Sequence, residues 1–177
     1  MYVYKTNIWG LGPFRPGRIF LSINRFDFKK NIALAVLAFS KYTELNESDE
    51  DDILIISGGY DSRLRGNVQM LFELQKLSDS LYCLLCVTLL SRLAKELSLT
   101  HRIVFLTSIT SDEKHLLLSN CMCVLYTPER EHFGIVPLEA MQYQKPVIAC
   151  RSGGPMETVI HGITGFLCQS CPNVRNI

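Results

Sequence analysis

The sequence carries almost no net charge. Lys and Arg number 18 against 17 Asp and Glu in 177 residues, a balance of +1. That excludes the basic footprint of a nucleic-acid-binding domain, so no nucleic-acid partner is expected. No secretory leader is expected either, because Met1 to Gly10 has no apolar core of the required kind. The longest apolar run, Leu81 to Leu90, is about half the length a bilayer-spanning helix needs. A further absence is G-x-G-x-x-G after the first strand-like run. Asn24 to Lys30 holds no glycine, which argues against a nicotinamide-dinucleotide enzyme.

Hydrophobic residues make up 47% of the chain and charged residues 20%, so a buried core is expected and disorder is not. The length suits one domain of ordinary size. The cysteine count, 7, is odd. Cys83-x-x-Cys86 and Cys168-x-x-Cys171 each have the spacing of half a zinc site, but they are far apart and the first lies in an apolar, helix-like run. Reduced, mostly buried thiols and no metal are the expectation. Cys121 and Cys123 are expected to point to one side of a strand. Asn46-Glu-Ser48 matches the N-glycosylation pattern, expected to be unused without a secretory signal. Glu44 to Asp52 is crowded with acidic residues and reads as a solvated loop.

Met1 to Gly17 is rich in glycine and proline and reads as a linker, neither strand nor helix. From Arg18 onward, strand-like and helix-like stretches alternate. The strands are read at Arg18–Ile23, Ile53–Ile56, Arg102–Leu106, Met122–Tyr126, Pro146–Ala149 and from Gly165. Helical stretches are read around Ile32–Phe39, from Ser111, and at Ile135–Tyr143. An amphipathic stretch at Ser62–Ser80 precedes a second helix-like piece at Leu81–Leu97. This alternation predicts an α/β, Rossmann-like, open and mostly parallel sheet with helices on both faces. Ligands of such sheets sit outside the carboxyl ends of the strands. Arg25 and Lys30, Gly58 and Gly59, Glu131 and Gly134, and Gly153 and Gly154 all follow strands at that edge.

The stretch Thr127 to Ala140 is the centre of the pattern. It joins a strand-like run to a helix-like one. Pro137 fits only the first helical turn, where its missing N–H is not needed. Gly134 lets backbone N–H groups approach a ligand, with the positive helix end behind them. Glu131 lies in the loop, and Glu139 shares a helix face with Ile135. Two carboxylates and an anion-ready helix end suit a ligand with both hydroxyls and phosphates, such as a sugar nucleotide. Taken singly, Glu131 also fits a solvated loop charge, Glu139 a surface-helix residue, and Arg25 and Lys30 solvated cations.

Taken together, Asn24-Arg25-x4-Lys30-Asn31, Gly58-Gly59, Glu131-x7-Glu139 and Gly153-Gly154-Pro-x-Glu157 resemble the C-terminal domain of retaining GT-B glycosyltransferases of family 4. Ser22-Ile-Asn-Arg-Phe26, Gly58-Gly-Tyr-Asp61, Cys123 to Pro128, Glu131 to Met141 and Ser152 to Pro155 bring the resemblance closer to its mannosyltransferases that build dolichol-linked oligosaccharides. It covers about Arg18 to Cys168. It implies α-1,3/α-1,6 mannosyl transfer from GDP-mannose, with retention of configuration and no metal or other cofactor. It also implies a dolichol-linked acceptor and a parent enzyme at the cytosolic face of the endoplasmic reticulum membrane.

In the implied roles, Arg25 and Lys30 hold the diphosphate. Glu131 accepts hydrogen bonds from the mannose hydroxyls. Phe133, Gly134, Ile135 and Val136 present backbone N–H groups. Glu139 binds the ribose hydroxyls, and Gly58 and Gly59 let the backbone approach the nucleotide. Arg25, Lys30 and Glu131 are the residues closest to the chemistry. Glu157 serves the Gly153-Gly154 turn, and His132 is positional rather than an acid or base.

The chain departs from the family pattern in three places. The acceptor-facing N-terminal domain is expected to be missing, with residues 1–17 in its place. Leu81 to Glu96 is longer and more apolar than the family's connection. The family's last helices are expected to be missing after Gly165-Phe-Leu167. Residues 18–177 are therefore expected to be a donor-binding domain, truncated at its C-terminus, with weak GDP-mannose binding and little transfer. The alternative is a non-catalytic nucleotide-sugar-binding or regulatory module.

Overall fold

β-branched runs such as Ile53–Ile56 need cover on both faces, and the fold supplies it. A computed structural model describes residues 4–5, 18–45, 51–58 and 87–169. The strands are β1 (Tyr4–Lys5), β2 (Ile19–Ile23), β3 (Ile53–Gly58), β4 (Ile103–Thr107), β5 (Cys123–Tyr126), β6 (Val147–Cys150) and β7 (Gly165–Cys168). The helices are α1 (Ile32–Leu45), α2 (residues 87–96), α3 (Ser111–Asn120), α4 (Ile135–Gln142) and α5 (Pro155–Thr158), with a 3₁₀ turn at Phe28–Lys30. All strands pair in parallel in one 7-stranded sheet, in the order β1-β4-β3-β2-β5-β6-β7. The expected α/β parallel architecture is therefore observed.

The order has one consequence for function. From β2 the chain winds outward through β3 and β4, then returns to lay β5 on the other side of β2. The crevice between β2 and β5 is a topological switch point, where open α/β sheets bind their ligands.

Strand residues alternate between two cores, as the period of two requires. Phe20, Leu54, Ile56, Phe105 and Leu125 face α1 and α2, and Ile19, Leu21, Ile55, Leu106 and Val124 face α3 and α4. Within α2, Val87, Leu90 and Ala94 recur at helical spacing and are buried. The apolar stretch from Leu81 thus supplies, in its described part, a core helix between β3 and β4. The start of α3 is fixed by a capping box: the Glu113 backbone N–H donates to Thr110 Oγ1 (3.2 Å), and the Thr110 N–H donates to the Glu113 carboxylate (2.8 Å). Among the described residues no helix is long and apolar enough to cross a membrane.

Three expectations are corrected. Tyr4–Lys5, inside the segment read as a linker, forms a strand on β4, because a parallel edge asks only for backbone groups in register. Cys121 and Cys123 do not share a side. Cys121 caps the end of α3 and packs in the second core, whereas Cys123 lies on β5 in the first. Burial raises the thiols of Cys121 to about 11 and of Cys123 to about 12.

The third correction concerns Asp52, which is not solvated. Its side chain is 1% exposed. It accepts from the Arg18 backbone N–H (2.8 Å), from Arg18 Nε (3.2 Å) and from the Tyr42 hydroxyl (2.7 Å), with Arg18 Nη2 3.0 Å away. Arg102 Nε donates to its carbonyl at 3.0 Å. Burial pushes this carboxyl up, but the Arg18 and Tyr42 hydrogen bonds and the Arg18 charge outweigh it, so it lies below the ordinary carboxylate value. The acidic run ends in a clamp at the amino edge of β2 and β3. Asn46-Glu-Ser48, Ser62–Ser80, Cys83, Cys86 and Cys171 lie outside the described residues, as do the Leu81–Cys86 part of the apolar run and residues 170–177.

Candidate functional site

The loop after β2 reaches the switch point from one side. Asn24 is buried and its N–H donates to the Ser57 carbonyl on β3 (2.9 Å). A tight turn follows, in which the Asp27 N–H donates to the Arg25 carbonyl (2.8 Å) and the Lys30 N–H to the Asp27 carbonyl (2.9 Å). Arg25 is left exposed and makes no ion pair among the described residues. Lys30 turns inward, its side chain only 12% exposed.

From the other side comes the loop after β5. Thr127 Oγ1 donates to the Lys30 carbonyl (2.8 Å), and the Lys30 ammonium pairs with Glu131 Oε2. Residues 101 positions apart are thus joined across the crevice. The structure therefore brings together Lys30 and Glu131, two residues that sequence spacing could only assign singly.

The Glu131 loop is held by the turn after β6. The Gly154 N–H donates to the Glu131 carbonyl (2.7 Å), and the Arg130 N–H donates to Ser152 Oγ (2.9 Å). A Cβ on Gly153 would lie 2.2 Å from the Glu131 carbonyl oxygen, and Gly153 has φ +62°. Both facts require glycine. A Cβ on Gly154 would lie 2.1 Å from the Phe133 carbonyl oxygen. The diglycine is thus a seat for the Glu131–Phe133 loop. The Glu157 side chain is exposed, and the turn is held by backbone bonds together with Ser152 Oγ and Thr158 Oγ1, which donates to the Gly154 carbonyl (3.3 Å).

Gly134 caps α4 with φ +75°, and its missing side chain makes room for the Tyr126 hydroxyl, 2.6 Å from where a Cβ would stand. Burial, with the Glu131 charge adding to it, pushes the Tyr126 phenol up to about 12, so it stays neutral. No side chain caps α4. The Ile135 and Val136 N–H groups lie in the first turn, where a helix offers them no acceptor, and Pro137 has no N–H to satisfy. Phe133 and Ile135 are 57% and 64% exposed.

Glu139 lies one turn further along α4. Lys114 of α3 meets its Oε1 at 2.6 Å, while Oε2 is enclosed and has no hydrogen-bond partner among the described residues. The sequence reading missed Lys114, since a lysine in a first helical turn carries no signal of its own. Gly58 is hemmed in by the chain itself. A Cβ there would lie 2.5 Å from the Asn24 carbonyl oxygen and from Phe26. The space is filled by the chain itself, so Gly58 seats the β2 loop. Gly59 lies outside the described residues.

Comparison with known proteins bears on the family and the fold. The family model for glycosyl transferases group 1 matches residues 87–177. The chain is 44% identical over 165 residues to the alpha-1,3/1,6-mannosyltransferase ALG2 of Dictyostelium discoideum, covering 90% of this chain and 35% of that protein. It is 46% identical over 157 residues to ALG2 of Saccharomyces cerevisiae, covering 84% and 30%. The chain thus spans about a third of the length of these relatives. Among solved structures, Anabaena Alr3699/HepE in complex with UDP-glucose superposes with a TM-score of 0.67 at 25% identity, over 94% of this chain and 38% of that one. A glycosyltransferase from Rickettsia africae shares the fold, with a TM-score of 0.68 at 21% identity over 90% of this chain and 35% of that one. The chain belongs to the glycosyl transferases group 1 family.

Proposed function

We propose that this chain is the donor-binding half of a retaining, metal-independent mannosyltransferase. The donor is GDP-mannose. The acceptor is a dolichol-linked oligosaccharide at the cytosolic face of the endoplasmic reticulum membrane, with transfer in α-1,3 or α-1,6 linkage. The observation that carries the reading is the Lys30–Glu131 pair across the switch point, beside the uncapped N-terminus of α4. A cation, a carboxylate and an uncapped helix N-terminus side by side suit a sugar diphosphate. The identity to ALG2 mannosyltransferases supports mannose as the sugar.

In this reading Arg25 and Lys30 hold the diphosphate and stabilise its departure. Glu131 accepts hydrogen bonds from mannose hydroxyls, and Glu139 from the ribose. The bond from mannose C1 to the β-phosphate oxygen breaks, and the bond to the acceptor hydroxyl forms on the same face. The acceptor proton passes to the departing phosphate oxygen. Titration calorimetry with GDP-mannose tests the donor half. The wild-type chain binds, and Arg25→Ala and Glu139→Ala each weaken binding about tenfold or more, the loss of one charge-assisted contact. Absence of binding by a folded wild-type chain contradicts the reading.

A further inference from the structure

Each carboxylate of the site holds one lysine from another element. Lys30 comes from the β2 loop to Glu131, and Lys114 comes from α3 to Glu139. The second pair has a feature the first lacks. Lys114 Nζ takes Glu139 Oε1 at 2.6 Å, and Glu139 Oε2 is closed off without a hydrogen-bond partner among the described residues. An enclosed carboxylate oxygen without a donor is unfavourable, and a hydroxyl that reaches it removes that cost. Lys114 is itself only 31% exposed. Its backbone is anchored by the α3 capping box, with the Lys114 N–H donating to the Thr110 carbonyl (3.0 Å). A surface lysine free in solvent would have neither the partial burial nor a link to a second helix.

We infer that Lys114 is a positioning residue for nucleotide binding. Its ammonium holds one oxygen of Glu139, which fixes the carboxylate's rotamer and reserves Oε2 for the vicinal diol of a nucleoside diphosphate. The inference rests on the nucleotide-sugar reading above. It acts through Glu139, so its effect depends on the ribose hydroxyls and not on the phosphates.

The test is calorimetry on the full 177-residue chain with GDP and with 2′,3′-dideoxy-GDP. Lys114→Met weakens GDP binding about tenfold, the scale of one charge-assisted hydrogen bond. It leaves dideoxy-GDP binding unchanged within about twofold, the residual scale of a partly exposed ion pair. Lys114→Arg restores most of the GDP affinity. The Lys114→Met/Glu139→Gln double variant binds GDP as Glu139→Gln alone does. Equal losses on both nucleotides overturn the inference, because they place Lys114 on the phosphates or in the general structure. Unchanged GDP binding by Lys114→Met overturns it too. If Lys114→Met does not fold, Lys114→Gln takes its place in the same comparison. Failure of the wild-type chain to bind either GDP or UDP overturns the nucleotide-sugar reading itself, and this inference with it.

Discussion

Asp52 and Glu139 stand near opposite edges of one sheet. At the amino edge of β2 and β3, both Asp52 oxygens are bonded to Arg18 or Tyr42 and the side chain is 1% exposed. On the helix that follows the carboxyl end of β5, Glu139 has one oxygen on Lys114 and one without a partner among the described residues. The chemistry is the same, a carboxylate beside a cation, but the degree of satisfaction differs. A carboxylate whose acceptors are all used inside the chain serves stability. One that leaves a buried acceptor without a donor gains from a ligand that supplies one. The comparison explains why charge alone identifies neither group.

Breaking Asp52 gives the largest effect. Asp52→Ala strips the Arg18 N–H and the Tyr42 hydroxyl of their acceptor, and an about 3 kcal/mol loss of stability is expected. Urea unfolding measures it, and GDP binding by the folded fraction stays as in the wild type. The pH dependence follows in sign. The folded-state carboxyl lies below the unfolded value of about 3.9, so its contribution is fully present above that pH. It is lost as pH falls through the folded value. The Asp52→Asn variant shows a flatter acid limb between those two values.

The loop seat gives the next effect. Gly153→Ala forces a Cβ toward the Glu131 carbonyl oxygen at positive φ. About 2 kcal/mol of destabilisation is expected, together with weaker nucleotide binding, since Glu131 moves. This variant sharpens the comparison, because it couples stability to the site where Asp52→Ala does not. The smallest change in stability falls on Lys30→Met. Its pair with Glu131 is partly exposed, so less than about 1 kcal/mol of stability is at stake. Donor binding nonetheless weakens about tenfold.

Much of the fold was readable before the structure. Arg18–Ile23, Ile53–Ile56, Met122–Tyr126 and Pro146–Ala149 announce strands through β-branched and apolar runs, and the observed boundaries differ by a residue or two. Tyr4–Lys5 was not readable, because a two-residue edge strand is specified by its partner's backbone rather than by its own side chains. Asp52 was hidden inside a run of acidic residues, and only the strand register shows that it meets Arg18. In the site, Glu131, Gly134 and Glu139 stand out by spacing around the β5–α4 crossover. Lys114 does not, since its pair with Glu139 spans 25 residues and two helices. For Gly58 the type of residue was noticed but its neighbour was not: Phe26 occupies the space.

The most direct measurement is the amide shift perturbation of the ¹⁵N-labelled chain on addition of GDP. The account predicts shifts concentrated at Arg25 to Lys30, Lys114 and Glu131 to Glu139, with Arg18, Tyr42 and Asp52 unmoved. Shifts centred on the Asp52 clamp, or none at saturating GDP, would contradict it.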